Sequence, residues 1–96
     1  MYILITSLTQ PPEVAKAYFD DHCAWLHKYI DKGVFLASGP KKNHLGGGIL
    51  VKSMDKKDLL EILKEDSYVR ADVADYQIID MEFRLADPEL KSLLDA

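Results

Sequence analysis

The sequence predicts a single α+β domain whose elements run β-α-β-β-α-β, with one further helix at the C-terminus. Three observations lead there. Short β-branched and apolar runs alternate with two amphipathic stretches, and Gly or Pro marks most of the joins. At 96 residues, 48% apolar and 29% charged, the chain supports one modest core and no second domain.

Residues 2–9, Tyr-Ile-Leu-Ile-Thr-Ser-Leu-Thr, carry no Gly or Pro and form the first strand. Pro11-Pro12 ends it and opens a helix from about Pro12 to Lys32, stopped by Gly33. Val34 to Ser38 is a second strand ended by Gly39-Pro40, Lys41 to Gly47 a polar loop, and Ile49 to Ser53 a third strand. Asp55 caps a helix from Lys56 to Glu65, carried by Leu59, Leu60, Ile62 and Leu63. Asp66 to Ala74 is irregular or a single helical turn. Asp75 to Leu85 alternates in part and reads as a long fourth strand. Asp87-Pro88 then caps a terminal helix to about Leu94. There is no repeat, linker or low-complexity tract.

This order is the ferredoxin-like, split β-α-β arrangement, a four-stranded antiparallel sheet with helices on one face. Tyr2, Leu4 and Leu8 point to one side of the first strand, Ile3 and Ile5 to the other. Val34 and Leu36 likewise oppose Phe35 and Ala37. Both faces are apolar while two helices cover only one. A second copy is the expected cover, which makes the chain a homodimer.

Twelve Lys plus Arg against sixteen Asp plus Glu give a net charge of −4, which leaves no basic surface for nucleic acid. The single cysteine, Cys23, excludes an internal disulfide framework and fits a reducing cytoplasm. No apolar run approaches the roughly 20 residues of a membrane span, and no basic leader with a cleavage site opens the chain. The expectation is a small acidic cytoplasmic domain.

His22 is the most informative residue. On a helical wheel Trp25, Tyr18 and Tyr29 fall within about 60° of it on one side, and Ala15, Leu26 and Phe19 within about 60° on the other. It is the only strongly polar member of an apolar arc that Ile30 and Cys23 extend. Such an imidazole is either a core histidine satisfied by a backbone carbonyl or a pocket acid–base group. Tyr18, Trp25 and Tyr29 form an aromatic stripe suited to packing against the sheet. His27 lies about 140° away, on the polar side, which excludes a shared metal pair with His22. Cys23 and His27 stand at i and i+4, but no third ligand has a recognisable spacing, so no metal or cofactor is expected. Lys41, Lys42 and His44 belong to a basic, glycine-rich connection that could gather an anion, without a phosphate-loop pattern.

His22-Cys23-Ala24-Trp25-Leu26, then Gly33, then Leu36-Ala37-Ser38-Gly39-Pro40, and later Asp66-Ser67-Tyr68-Val69, together resemble the signature of the YCII-related (YciI-like) family. The resemblance covers residues 1 to about 85 and leaves the C-terminal helix outside. It implies a dimeric α/β barrel type of ferredoxin-like fold, with a His–Asp pair in a cleft near the dimer interface. Those positions are His22 and Asp66, with Ser38 beside the Gly-Pro turn and Tyr68 in the Asp-containing motif. Some relatives act in dehydrochlorination of aromatic degradation intermediates, and muconolactone isomerases share the fold.

The implied pairing has a physical logic. A carboxylate on one ring nitrogen fixes the tautomer and frees the other nitrogen to move a proton. Ser38 is a candidate oxyanion donor and lacks the strand-to-helix elbow of a nucleophile. Three positions depart from the family pattern. Phe19 stands where many relatives have Arg, so the substrate is either less charged or met by Lys41 or Lys42. Ser67 replaces a Pro, which is expected to loosen the turn holding Asp66. Asp72 replaces a Gly, tolerable at a left-handed position. The leading expectation is a cofactor-independent lyase or isomerase acting on a small polar or aromatic-derived molecule. The competing one is a non-catalytic ligand-binding or assembly dimer, and a cofactor-free monooxygenase is a third use of the fold.

Overall fold

The computed structural model describes all residues from Met1 to Ala96. Strand β1 spans Tyr2–Leu8, β2 Phe35–Pro40, β3 Gly46–Val51 and β4 Ala74–Asp80. Helix α1 spans Pro12–Ala15, α2 Phe19–Asp31, α3 Lys56–Leu63 and α4 Ser67–Arg70. The strands form a four-stranded antiparallel sheet in the order β2-β3-β1-β4.

Alternation along β1 assigns the two faces. Tyr2, Leu4 and Thr6 are buried, and their partners are Val51, Ile49 and Gly47 on β3 and Asp80, Ile78 and Tyr76 on β4. Trp25 and Tyr29 of α2 and Leu59 and Leu63 of α3 close over this face around Phe35. Trp25 meets Phe35 edge-on with centroids 5.1 Å apart, and its Nε1 donates to the Ile62 carbonyl at 3.0 Å. That bond ties α2 to the end of α3. Ile3, Ile5, Leu50 and Ile79 lie on the opposite face and are half-buried.

The structure corrects several boundaries. The helix expected over Pro12 to Lys32 is broken: a 3-10 turn, Lys16–Tyr18, separates α1 from α2. At the break the Tyr18 carbonyl accepts from Ser67 Oγ at 2.8 Å, a tertiary bond that helical periodicity does not register. Tyr18 and Phe19 sit exposed. Strand β2 runs through Gly39-Pro40 because it is an edge strand, where a missing N–H costs no ladder bond. Strand β3 begins at Gly46, ahead of the expected Ile49. Its first glycines are required there: a Cβ on Gly46, at φ +140, would lie 1.9 Å from the Thr6 carbonyl oxygen. Strand β4 ends at Asp80, opposite Tyr2, short of the expected Leu85, and the Met81 N–H adds one bond to the Met1 carbonyl at 3.0 Å. Helix α3 stops at Leu63, and Asp55 precedes it without a side-chain capping bond. The terminal segment Pro88–Leu94 is 3-10 in form with a kink at Leu90, capped by Asp87.

Candidate active site

Asp66 holds the site together. It has zero exposure and occupies the N-cap of α4, where Oδ1 accepts from the Tyr68 backbone N–H at 3.1 Å. His22 Nδ1 lies 2.7 Å from the same oxygen, and the Tyr76 hydroxyl donates to Oδ2 at 2.6 Å. Three donors therefore compensate a carboxylate cut off from water. Burial first, and then the charge and hydrogen bond of Asp66, push the Tyr76 phenol well above its ordinary range.

An ionised carboxylate only accepts, so Nδ1 carries the proton of the His22–Asp66 bond. Nε2 has no hydrogen-bond partner in the chain, and the imidazole lines a cleft of about 660 Å³. The Tyr68 ring stacks on His22 with centroids 4.0 Å apart and planes 5° from parallel. The Trp25 ring lies tilted against the imidazole, with centroids 5.7 Å apart. Ring orientation is thus fixed by one bond and two aromatic neighbours.

The cleft exists because of glycine. Gly47 stands on the helix-covered face, between Thr6 and Pro40, where every other β3 residue of that face fills the core with a side chain. A Cβ there would come within 2.7 Å of the Gly39 carbonyl oxygen. The cavity opens over this bare stretch, between the sheet and the α1–α2 segment. Ala15, Phe19, Leu26 and Ile30 form its helical wall.

Sequence reasoning posed a core histidine against a pocket residue, and His22 is both. Its side chain is 13% exposed and bonded to a fully buried carboxylate rather than to a backbone carbonyl, yet it borders open space. Ser38 and Tyr68 also line the cleft; Ser38 is exposed, paired with Ile49 in the sheet, and its hydroxyl has no hydrogen-bond partner in the chain. Lys41 and Lys42 do not line it. Lys41 Nζ donates to Ser7 Oγ at 2.9 Å, and Ser7 points to the face opposite Thr6. His27, expected on a solvated surface, is exposed but borders the cleft, as does His44. Cys23 lines it too, half-buried, its thiol raised by burial and then by Asp20. The Tyr29 hydroxyl turns away from the cavity to the Glu65 carboxylate.

Ser67 does not loosen the turn. It is buried, and its hydroxyl anchors the turn to Tyr18. Asp72 does occupy a left-handed position, φ 56. Tyr76 was missed, although its place two residues before Ile78 on an alternating strand put it on the inner face.

The fold and this buried His–Asp arrangement define a small α/β protein of ferredoxin-like type with a ligand-sized cleft. A model of the YCII-related domain matches residues 1–82, and the chain belongs to that family. No curated relative matches the sequence. Among solved structures it is similar to 5-chloro-2-hydroxyhydroquinone dehydrochlorinase from Burkholderia phenoliruptrix AC1100, in complex with 2,5-dihydroxybenzoquinone. The TM-score is 0.69 at 16% identity, over 85% of this chain and 94% of that one. At that identity the likeness is one of fold. No helix of the chain is long and apolar enough to cross a membrane.

Proposed function

We infer that the protein is a small enzyme performing acid–base chemistry, of lyase or isomerase type, on a small ring-bearing molecule. The observation that carries this reading is the His22–Asp66 bond at 2.7 Å, with Asp66 fully buried and Nε2 left unpartnered beside the cleft. In this reading Nε2 removes a proton from a carbon or hydroxyl of the substrate, and Asp66 stabilises the resulting imidazolium. Ser38 donates to the oxygen on which negative charge develops, and Tyr68, stacked on His22, offers the substrate its edge. The chemistry draws on side chains alone. The half-buried face of Ile3, Ile5, Leu50 and Ile79 pairs with a second copy, giving a homodimer of the dimeric α/β barrel type that works in the cytoplasm.

A second reading has one observation behind it. Phe19 is 52% exposed and lines the cleft, so the wall is more apolar than substrate-gripping chemistry requires. A non-catalytic binding dimer would use the same cavity. The deciding experiment screens chlorinated hydroquinones and small unsaturated lactones in D2O, following chloride release and deuterium incorporation. The expected result is turnover by the native chain and a loss of about 10²-fold or more in His22→Gln. Equal turnover by His22→Gln, or no deuterium incorporation and no chloride release from any compound, overturns the enzymatic reading.

A further inference from the structure

All three histidines of the chain line the cleft, and Lys16 joins them. No aspartate or glutamate does. Acidic residues outnumber Lys and Arg by sixteen to twelve in the whole chain, so a wall without a carboxylate does not follow from composition. The nearby carboxylate, Asp66, is sealed behind His22 with three donors on its two oxygens.

Two of the basic groups share one end of the cavity. Lys16 lies on the 3-10 turn that follows β1 and α1. His44 sits in the β2–β3 loop, which is tied to the same end of β1 by the Leu8 N–H donating to the Leu45 carbonyl at 3.0 Å. His44 holds a left-handed backbone, φ 60, which few side chains adopt. Asn43 Oδ1 braces the loop by accepting from the Leu45 N–H at 2.9 Å. Lys28 and Lys64 are each paired with a glutamate and Lys41 with Ser7, whereas the side chains of Lys16 and His44 have no partner in the chain. Beyond them the cleft is lined by Leu8, Phe19, Leu26 and Ile49.

We propose that the cleft selects small ring compounds carrying one oxyanion, its charge met by the Lys16 ammonium and a ring N–H of His44 at the mouth and its ring laid along the apolar wall beside His22. The proposal rests on the cleft being the ligand site and adds the charge class of the ligand. A cation at the rim of a low-dielectric cavity concentrates anions, and a charge-assisted hydrogen bond then holds them.

The test is an NMR titration of the full chain with benzoate and with benzamide, its neutral isostere. Benzoate is expected to bind about tenfold more tightly, as one charge-assisted contact provides, with the preference shrinking as salt is added. Lys16→Met and His44→Asn, the latter compatible with left-handed backbone, each weaken benzoate and leave benzamide unchanged. Equal affinities, benzoate shifts centred on Lys41 and Lys42, or no saturable binding at the cleft overturn the proposal. Because binding is read without turnover, a benzoate preference in a chain that catalyses nothing would sustain this inference and sink only the enzymatic reading.

Discussion

His22 and Tyr68 lie ring on ring, 4.0 Å apart, and a single oxygen of Asp66 bonds the imidazole of one and the backbone N–H of the other. The atom that caps α4 therefore also sets the tautomer of the histidine. Folding of a four-residue helix and orientation of the imidazole are one event. Ser67 extends the coupling by bonding the Tyr18 carbonyl, one turn ahead of His22.

Asp66→Asn should remove the charge while keeping the cap. The amide oxygen takes the place of Oδ1 and accepts from both the Nδ1–H and the Tyr68 N–H, while the amide N–H turns to the Tyr76 hydroxyl, so the ring keeps its tautomer but loses the anion that stabilises an imidazolium. The expected outcome is a fall of about 10²–10⁴-fold in turnover, with about 1–3 kcal/mol of lost stability from disturbed buried bonds. Nitrogen-15 imidazole spectra and urea melts check both. Unchanged turnover, or a ring proton that moves to Nε2, would contradict this arrangement of Asp66.

Much of this was legible in the residues. Alternation in β1 gave both sheet faces, and the lone imidazole in an apolar arc singled out His22 before any geometry was known. Asp66 was legible only through family resemblance, because a carboxylate after a helix looks like an ordinary turn residue. Tyr76 and Ser67 were not legible as site residues. Their roles come from hydrogen bonds spanning 10 and 49 positions, which leave no local periodicity. The same cause explains the misplaced strand ends. Gly39, Pro40, Gly46 and Gly47 look like breakers, yet an edge strand tolerates the proline, and close backbone approach demands Gly46 and Gly47.

Gly46→Ala tests that demand. The added methyl would lie 1.9 Å from the Thr6 carbonyl oxygen, at a backbone angle that L residues avoid. A loss of about 3 kcal/mol or more is expected. Gly39→Ala is the control, since nothing lies within 4 Å of its Cβ position, and its cost should stay near 0.5 kcal/mol or about that. Denaturant melts giving the two variants equal stability would remove the close-approach argument.

Ile5→Lys addresses the uncovered sheet face. Ile5 pairs with Gly48 and Gln77 and points away from the helices, so a charge there leaves the core intact. In a dimer packed through this face, two buried ammonium groups would oppose each other, and sedimentation should shift from dimer to monomer. A native chain that sediments as a monomer, or a variant that remains dimeric, would refute the packing.

Alkaline pH should weaken the fold through its tyrosines. Tyr2, Tyr29, Tyr68 and Tyr76, four of the five, all have phenols raised above the ordinary value, and in each the largest cause is burial. Tyr76 is raised furthest, by burial first and then by the Asp66 carboxylate it bonds. A raised phenol keeps its proton in the native state at a pH where the unfolded chain has released it. The unfolded state then binds fewer protons, so stability is intact below about pH 10 and falls as pH rises beyond it. Absorbance at the phenolate band reads this directly: the native chain should lag the urea-unfolded chain, and the gap should narrow in Tyr76→Phe. That variant should also lose about 1–3 kcal/mol at neutral pH, because one buried oxygen of Asp66 is left without its donor. Superimposable native and unfolded titrations would show that these hydroxyls are open to water and that Tyr76 does not close off Asp66.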